Sequence, residues 1–201
     1  ISIIDEYPKG RQSIDTYCVD TSYRQRIYNY IKKFLNEGRQ GYIVCPLVEE
    51  NETMDITPAS EYYEKLKSGE FKDYTVGLLH GKMKPQDKDR VMRSFAAGEI
   101  QLLSATTVIE VGIDVPNAVI MVIENAERFG LSQLHQLRGR IGRGKHKSSC
   151  ILISDNKSPD TKKRLNVIKN SCDGFKIADA DLELRGPGDF LGSGQQGLPD
   201  R

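Results

Sequence analysis

Two arginines, Arg140 and Arg143, stand three residues apart in Gln136-Leu137-Arg138-Gly139-Arg140-Ile141-Gly142-Arg143, interleaved with two glycines. A guanidinium is a planar, permanently charged fork of donors that matches the oxygens of a phosphate. On a helix Arg140 and Arg143 share a face, with Gln136 one turn earlier on the same side. Leu134, Leu137 and Ile141 then fall on the opposite side, at a spacing suited to burial. Glycine weakens a helix, so two in one turn imply close approach of a backbone or a phosphate. The expected chemistry is fixed cations presented to the transferring phosphate of a nucleotide. Two plainer readings stand beside it. A basic helix on a solvated surface gains nothing from two glycines. A general phosphate grip on nucleic acid is not separated from the first reading by local charge alone.

Two upstream stretches add to this. Ser104-Ala105-Thr106-Thr107 puts hydroxyls at the end of a strand and the start of a helical turn, which suits a nucleic-acid phosphate. Gly112 and Asp114 follow on a tight turn, where a carboxylate can accept ribose hydroxyls. A capping pair and an ordinary turn explain either half alone. Leu78-Leu79-His80-Gly81-Lys82-Met83 ends a strand in a glycine turn with a cation, so backbone amides and Lys82 could face a phosphate. Taken alone, it reads as a plain strand-to-helix turn. It is not a P-loop: three residues separate Gly77 from Gly81 where four are needed, and Met83 follows the lysine where Ser or Thr must hold magnesium. In open parallel sheets function gathers where strands end. The arginines and the hydroxyl-bearing turn are therefore expected on one open edge.

The elements that position these residues follow from periodicity. Strands are expected over Ile14–Val19, Gly41–Val48, Thr75–Leu79, Ile100–Ser104, Ala118–Ile123 and Ser149–Ser154. Between them come helices to about Glu37 with Gly38 as stop, from Pro58 to Gly69, from Pro85 to Gly98, and through Gln136. Short apolar strands alternating with helices predict an α/β fold with a mainly parallel, doubly wound sheet covered on both faces. Residues 1–12 read as an entry linker, 13–155 as the sheet domain, and 156–201 as a helical hairpin with an extended glycine-rich loop. The hairpin helices are expected over Pro159–Ser171 and Phe175–Leu184.

Composition is that of an ordinary globular chain, and a net charge of +1 means that any nucleic-acid surface is a local patch. Cys18, Cys45, Cys150 and Cys172 form no CxxC pair, so neither a zinc site nor a redox dithiol is signalled. Three of the four sit in apolar or mixed runs and read as core thiols of a reducing compartment, the cytoplasm. No apolar run reaches membrane-spanning length. The opening at Ile1 and the turn-like end at Arg201 give the chain the look of a piece of something longer.

Taken in order, the stretches resemble the second motor lobe of superfamily-two helicases. Thr106, Thr107, Gly112 and Asp114 match the fifth motif of that family, and Gln136, Gly139, Arg140, Gly142 and Arg143 match its sixth, QxxGRxGR. The run from Val108 through Ala118, then Glu127 to Arg140, is similar to the RecG branch and its Mfd relatives. Asp181-Leu182-Glu183-Leu184-Arg185-Gly186-Pro187-Gly188-Asp189 and Gln195 resemble the translocation motif those branches share, and Pro187 favours RecG. Gly194 stands where the family often has arginine, which leaves Gln195 as the better DNA contact.

The resemblance implies a RecA-like three-layer domain. It implies Arg140 and Arg143 as catalytic arginine fingers, with Gly112, Asp114 and Gln136 at the nucleotide. It implies His80, Gly81, Thr106, Thr107, Arg185 and Gln195 on DNA. ATP and Mg2+ would be held mainly by a first RecA-like lobe. The implied partners are branched or forked DNA, that first lobe and a junction-binding domain of the same parent chain, with no membrane. The implied work is remodelling of stalled forks in repair and recombination, with the isolated lobe inactive. An Mfd-like transcription-repair translocase and a non-enzymatic nucleic-acid-binding module are the alternatives.

Overall fold

A computed structural model describes residues 13–47, 58–106 and 113–170. Six strands form one sheet: β1 (Ile14–Val19), β2 (Gln40–Val44), β3 (Val76–Leu79), β4 (Leu102–Ala105), β5 (Ala118–Ile123) and β6 (Ser148–Ile153). Their order is β1-β6-β5-β2-β4-β3, and every pairing is parallel. The expected doubly wound α/β architecture is what the chain adopts. Parallel strands need crossovers, and helices on both faces leave the strands apolar throughout. Every residue of β5, Ala118 to Ile123, is accordingly buried.

The pleat sorts side chains into two cores. Tyr42, Leu103, Met121 and Cys150 are register neighbours across β2, β4, β5 and β6, and they belong to one of them. That face is covered by α3 (Pro85–Ala96) through Met92 and Phe95, and by α4 (Leu131–Arg138) through Leu134 and Leu137. α5 (Pro159–Asn170) adds Leu165 and Ile168 to the same core. Tyr17, Ile43, Val122 and Ile151 face the other way, under α1 (Arg24–Asn36) and α2 (Pro58–Ser68). The α1 stripe is Ile27, Tyr30, Ile31 and Leu35, with Phe34 only partly buried. Asp20 accepts a hydrogen bond from the Ser22 amide at 2.9 Å at the entry to α1. Pro85 opens α3, where its missing N–H costs nothing.

Two expectations need correction. The Gly41–Val48 strand is shorter than expected: β2 ends at Val44, ahead of Pro46, and Val48 lies outside the described residues. α5, assigned from sequence to the appended hairpin, is seated in the sheet core through Leu165 and Ile168. Its partner helix over 175–184 and the glycine-rich loop lie outside the described residues, as do the linker 1–12 and the acidic segment 49–56.

The described cysteines are free thiols. Burial pushes Cys18 up to about 11 and Cys45 and Cys150 up to about 12, so they stay protonated and unreactive at neutral pH. None of the helices in the described residues is long and apolar enough to cross a membrane.

Candidate functional site

The helix expected through the arginine stretch stops early. α4 ends at Arg138, and Gly139 is its C-cap. The amides of Arg140 and Ile141 then turn back to the carbonyls of Leu137 and Arg138, at 2.9 and 3.2 Å. These are three-residue turns, the usual tightening at a helix end. Gly142 has φ +79°, a left-handed conformation that costs glycine little and a side-chain-bearing residue much more. Arg140 and Arg143 are thus carried by a turn, not by a helical face. Leu134, Leu137 and Ile141 are buried as expected, and they anchor the turn from below.

A second backbone braces this turn. A Cβ placed on Gly144 would lie 2.6 Å from the Pro116 carbonyl oxygen, so the loop and the turn at Asp114 touch main chain to main chain. Asn117 fixes that turn in its own way: it accepts from Arg39 at 2.7 Å and donates to the Gly38 carbonyl and to Gln40 at 2.8 and 3.0 Å. We expect Gly144→Ala to destabilise the protein by about 1–3 kcal/mol, the range for forcing extra volume into a packed site. An unfolding midpoint equal to that of the unsubstituted protein would show that the two segments are not in register contact.

The side chains converge across this contact. Arg143 Nη1 lies 3.5 Å from Asp114 Oδ1, with 35% and 61% of the two side chains exposed. Arg143 Nε also donates to the Gly139 carbonyl at 2.8 Å, satisfying an acceptor left open at the end of α4. Arg140 is half-buried beside them. Burial holds its pKa below the ordinary guanidinium value; Arg143 adds to this, and Tyr42 and Asp114 oppose it. It remains a cation, because arginine does not lose its proton in proteins. The result is two cations and one carboxylate on a partly open surface, able to exchange an internal ion pair for a phosphate. Gln136 lies exposed on α4, one turn before Arg140.

The hydroxyl-bearing stretch is elsewhere. Thr106 follows β4, and its amide reaches the Leu79 carbonyl of β3 at 3.2 Å. Among the described residues its Oγ1 is buried without a hydrogen-bond partner, the kind of orphan that a ligand oxygen would satisfy. His80 and Gly81 follow β3 directly, next to it in the sheet. These groups therefore stand at the C-terminal ends of the strands. Asp114 precedes β5 and Arg143 precedes β6, at the N-terminal ends. The expectation of one shared edge is corrected: β4 and β5 both run parallel to β2, so Thr106, after β4, and Asp114, before β5, stand at opposite ends of the strands. Four strand residues separate the edges by about 13 Å. Thr107, Gly112, Arg185 and Gln195 lie outside the described residues.

Sequence reasoning missed two buried charges. Arg138 is 6% exposed and donates to the Ile168 carbonyl at 2.6 Å and to Thr16 Oγ1 at 3.2 Å, tying α4 to β1 and to the end of α5. Glu124, also 6% exposed, accepts from Arg24 and, at 2.7 Å, from Tyr62. It borders a cavity of about 570 Å³ that also involves Tyr28 and Cys45, and neither Arg143 nor Thr106 lines it. Only the shared type of residue, a charge within an apolar run, hints at either.

Residues 24–145 match the model of the helicase conserved C-terminal domain. The chain belongs to that family. As a helicase C-terminal domain it has a second match: residues 171–199 fit the model described as ATP-dependent DNA helicase RecG, domain 3, C-terminal. It is 51% identical over its whole length to the ATP-dependent DNA helicase RecG of Bacillus subtilis, covering 29% of that protein. It is 50% identical to RecG of Escherichia coli, with 98% of this chain and 28% of that protein covered. The chain thus spans under a third of the length of these curated relatives. Among solved structures it resembles RecG bound to a three-way DNA junction, with a TM-score of 0.71 and 44% identity over 92% of this chain and 24% of that one. The C-terminal domain of the DEAD-box protein Dbp5, at 21% identity and TM-score 0.55 over 80% of this chain and 88% of that one, shares the fold. The RecA-like architecture expected from the sequence is therefore that of this helicase C-terminal domain.

Proposed function

We propose that this chain is the second motor lobe of a RecG-type ATP-dependent DNA helicase that remodels branched and forked DNA in repair and recombination. The observation that carries this reading is the Arg140–Arg143 turn braced on Asp114, half-open and rich in positive charge. In phosphoryl transfer the protein works mainly by positioning and by stabilising charge. Bound ATP, with Mg2+, would supply the phosphoanhydride whose cleavage drives the cycle. Arg143, now shared between Asp114 and the Gly139 carbonyl, would turn to a phosphate carried by a companion lobe. Arg140 would approach from the same turn, and Asp114 and Gly112 would face the nucleotide's sugar side. Gln136 is the further candidate at that nucleotide.

DNA would lie along the opposite edge, on His80, Gly81, Thr106 and Thr107. The Thr106 hydroxyl, buried and without a partner among the described residues, favours that assignment. The two edges are joined by residues 107–113, so a shift at one end has a covalent route to the other. The end of α5 supports the same reading. The Ile168 carbonyl accepts from Arg138, two residues from Arg140, so the end of α5 lies beside the arginine turn. Arg185 and Gln195, within the segment 171–199, are the proposed DNA contacts of the tail.

A direct test uses the purified chain. We expect it to show no Mg2+-dependent ATP hydrolysis with or without forked DNA, and the full-length protein containing it to hydrolyse ATP when forked DNA is added. Turnover by the chain alone would mean that its own residues suffice and that no companion lobe is needed.

A further inference from the structure

The cavity beside Glu124 lies away from the arginine turn, and the motor-lobe reading gives it no task. Its volume of about 570 Å³ falls in the range of small-ligand pockets, about 300–1,000 Å³. Glu124 directly follows β5, and its side chain is 8% exposed. Both of its donors use the same oxygen: Arg24 and Tyr62 each donate to Oε2, Tyr62 at 2.7 Å. Oε1 receives no hydrogen bond among the described residues, and it is not sealed from the cavity that Glu124 lines. A carboxylate has about four lone-pair sites, so about two remain open to donors from a ligand. The other charges on the cavity are positive. Lys65 is exposed and makes no side-chain bond among the described residues, and Arg24 keeps 34% of its side chain exposed. Tyr28 and Tyr62 line the same space, with their hydroxyls 3.2 Å apart. The Tyr28 ring stands edge-on to Phe71 at a centroid distance of 5.4 Å, which fixes it as a wall.

A simple cation is repelled here by Arg24 and Lys65, and a simple anion by Glu124. The match is a flat ligand with N–H donors at one end and an anionic group at the other, which describes a nucleotide. The location supplies a source. Cys45, another lining residue, donates its amide to the Ala105 carbonyl at 2.8 Å, so the cavity reaches the neighbour of Thr106. We propose that the cavity receives one unpaired nucleotide of a DNA strand, its base N–H groups on Glu124 Oε1 and its phosphate on Lys65 and Arg24. This rests on the motor-lobe reading, which lays DNA along His80 and Thr106. Stacking on an aromatic wall tolerates any base, because each has a π-face. The carboxylate adds a preference. Guanine offers two adjacent N–H donors, whereas the one N–H of thymine lies between carbonyls that a carboxylate repels. A base held in this way is withdrawn from pairing, at the unstacking cost that is least for a base already unpaired.

The test places thioguanine, a photoreactive guanine that keeps both N–H donors, at successive unpaired positions of forked DNA bound to the full-length protein. After irradiation the cross-linked residues are mapped by mass spectrometry. We expect one position of the strand to label Tyr28, Cys45 or Tyr62. Thiothymine at that position should send a smaller share of its cross-links there, by about fivefold, the scale on which one mismatched hydrogen-bonding edge is felt. Lys65→Glu should lower the thioguanine label about fivefold or more, by turning attraction for the phosphate into repulsion. Its unfolding midpoint should not change, because the side chain is exposed and unbonded among the described residues. Cross-links confined to the surroundings of His80 and Thr106 would overturn the proposal and leave the motor-lobe reading standing. The absence of any cross-link to this chain would bring down both. Equal labelling by free thioguanosine monophosphate would make the occupant a free nucleotide and overturn the assignment to a strand. A label undiminished in Lys65→Glu would overturn the phosphate contact on which the orientation depends.

Discussion

Replacing Arg143 by alanine in the full-length protein is expected to lower DNA-stimulated ATP hydrolysis by about 10³ or more, the scale on which arginine fingers act in phosphoryl transfer. The fold should survive. The side chain is partly exposed, its bridge to Asp114 is long, and its bond to the Gly139 carbonyl can pass to water. Partly exposed ion pairs of this kind contribute about 0–1 kcal/mol. Activity and stability should thus separate, which distinguishes a group acting on the reaction from one holding the turn. Near-normal turnover, measured by phosphate release with forked DNA, would remove Arg143 from the mechanism. A parallel collapse of the unfolding midpoint would make it a structural residue.

Arg138→Ala should do the reverse. This guanidinium is nearly inaccessible and donates to the Ile168 carbonyl and the Thr16 hydroxyl. Truncation removes two charge-assisted hydrogen bonds and strands two buried acceptors, at a cost on the order of 3 kcal/mol. Lysine is a poor substitute, since a single ammonium point charge lacks the guanidinium's planar fork. The expected signature is a lower denaturation midpoint with faster amide exchange at the end of α5, where Ile168 loses its tether. A change within about 0.5 kcal/mol, as for ordinary surface sites, would mean that α5 is held by Leu165 and Ile168 packing alone.

The strands were readable because a parallel sheet buries them on both faces, leaving short apolar runs such as Ala118–Ile123. The helices were readable from stripes such as Ile27, Tyr30 and Ile31 and from the glycines just beyond α1 and α3. The chemistry of the arginine stretch was readable from residue type and spacing. Its local shape was not. Leu134, Leu137 and Ile141 keep helical spacing although the backbone changes to three-residue turns after Arg138, because both geometries bring positions three and four apart to one side. The edge assignment failed for a different reason. Strand order and direction are three-dimensional facts, and β2 lies between the parallel strands β4 and β5 in the sheet. The buried charges were hidden likewise. Arg138 finds its partners in β1 and α5, and Glu124 in α1 and α2, all far away in the chain.

The most direct measurement is a structure of the full-length protein with forked DNA and a transition-state mimic of ATP. The account predicts both Arg140 and Arg143 at about 2.7–2.9 Å from oxygens of the phosphate mimic, the range of charge-assisted hydrogen bonds, with the Arg143–Asp114 pair opened. Finding Arg143 still on Asp114 and the Gly139 carbonyl, with the phosphate mimic held entirely by residues outside this chain, would contradict it.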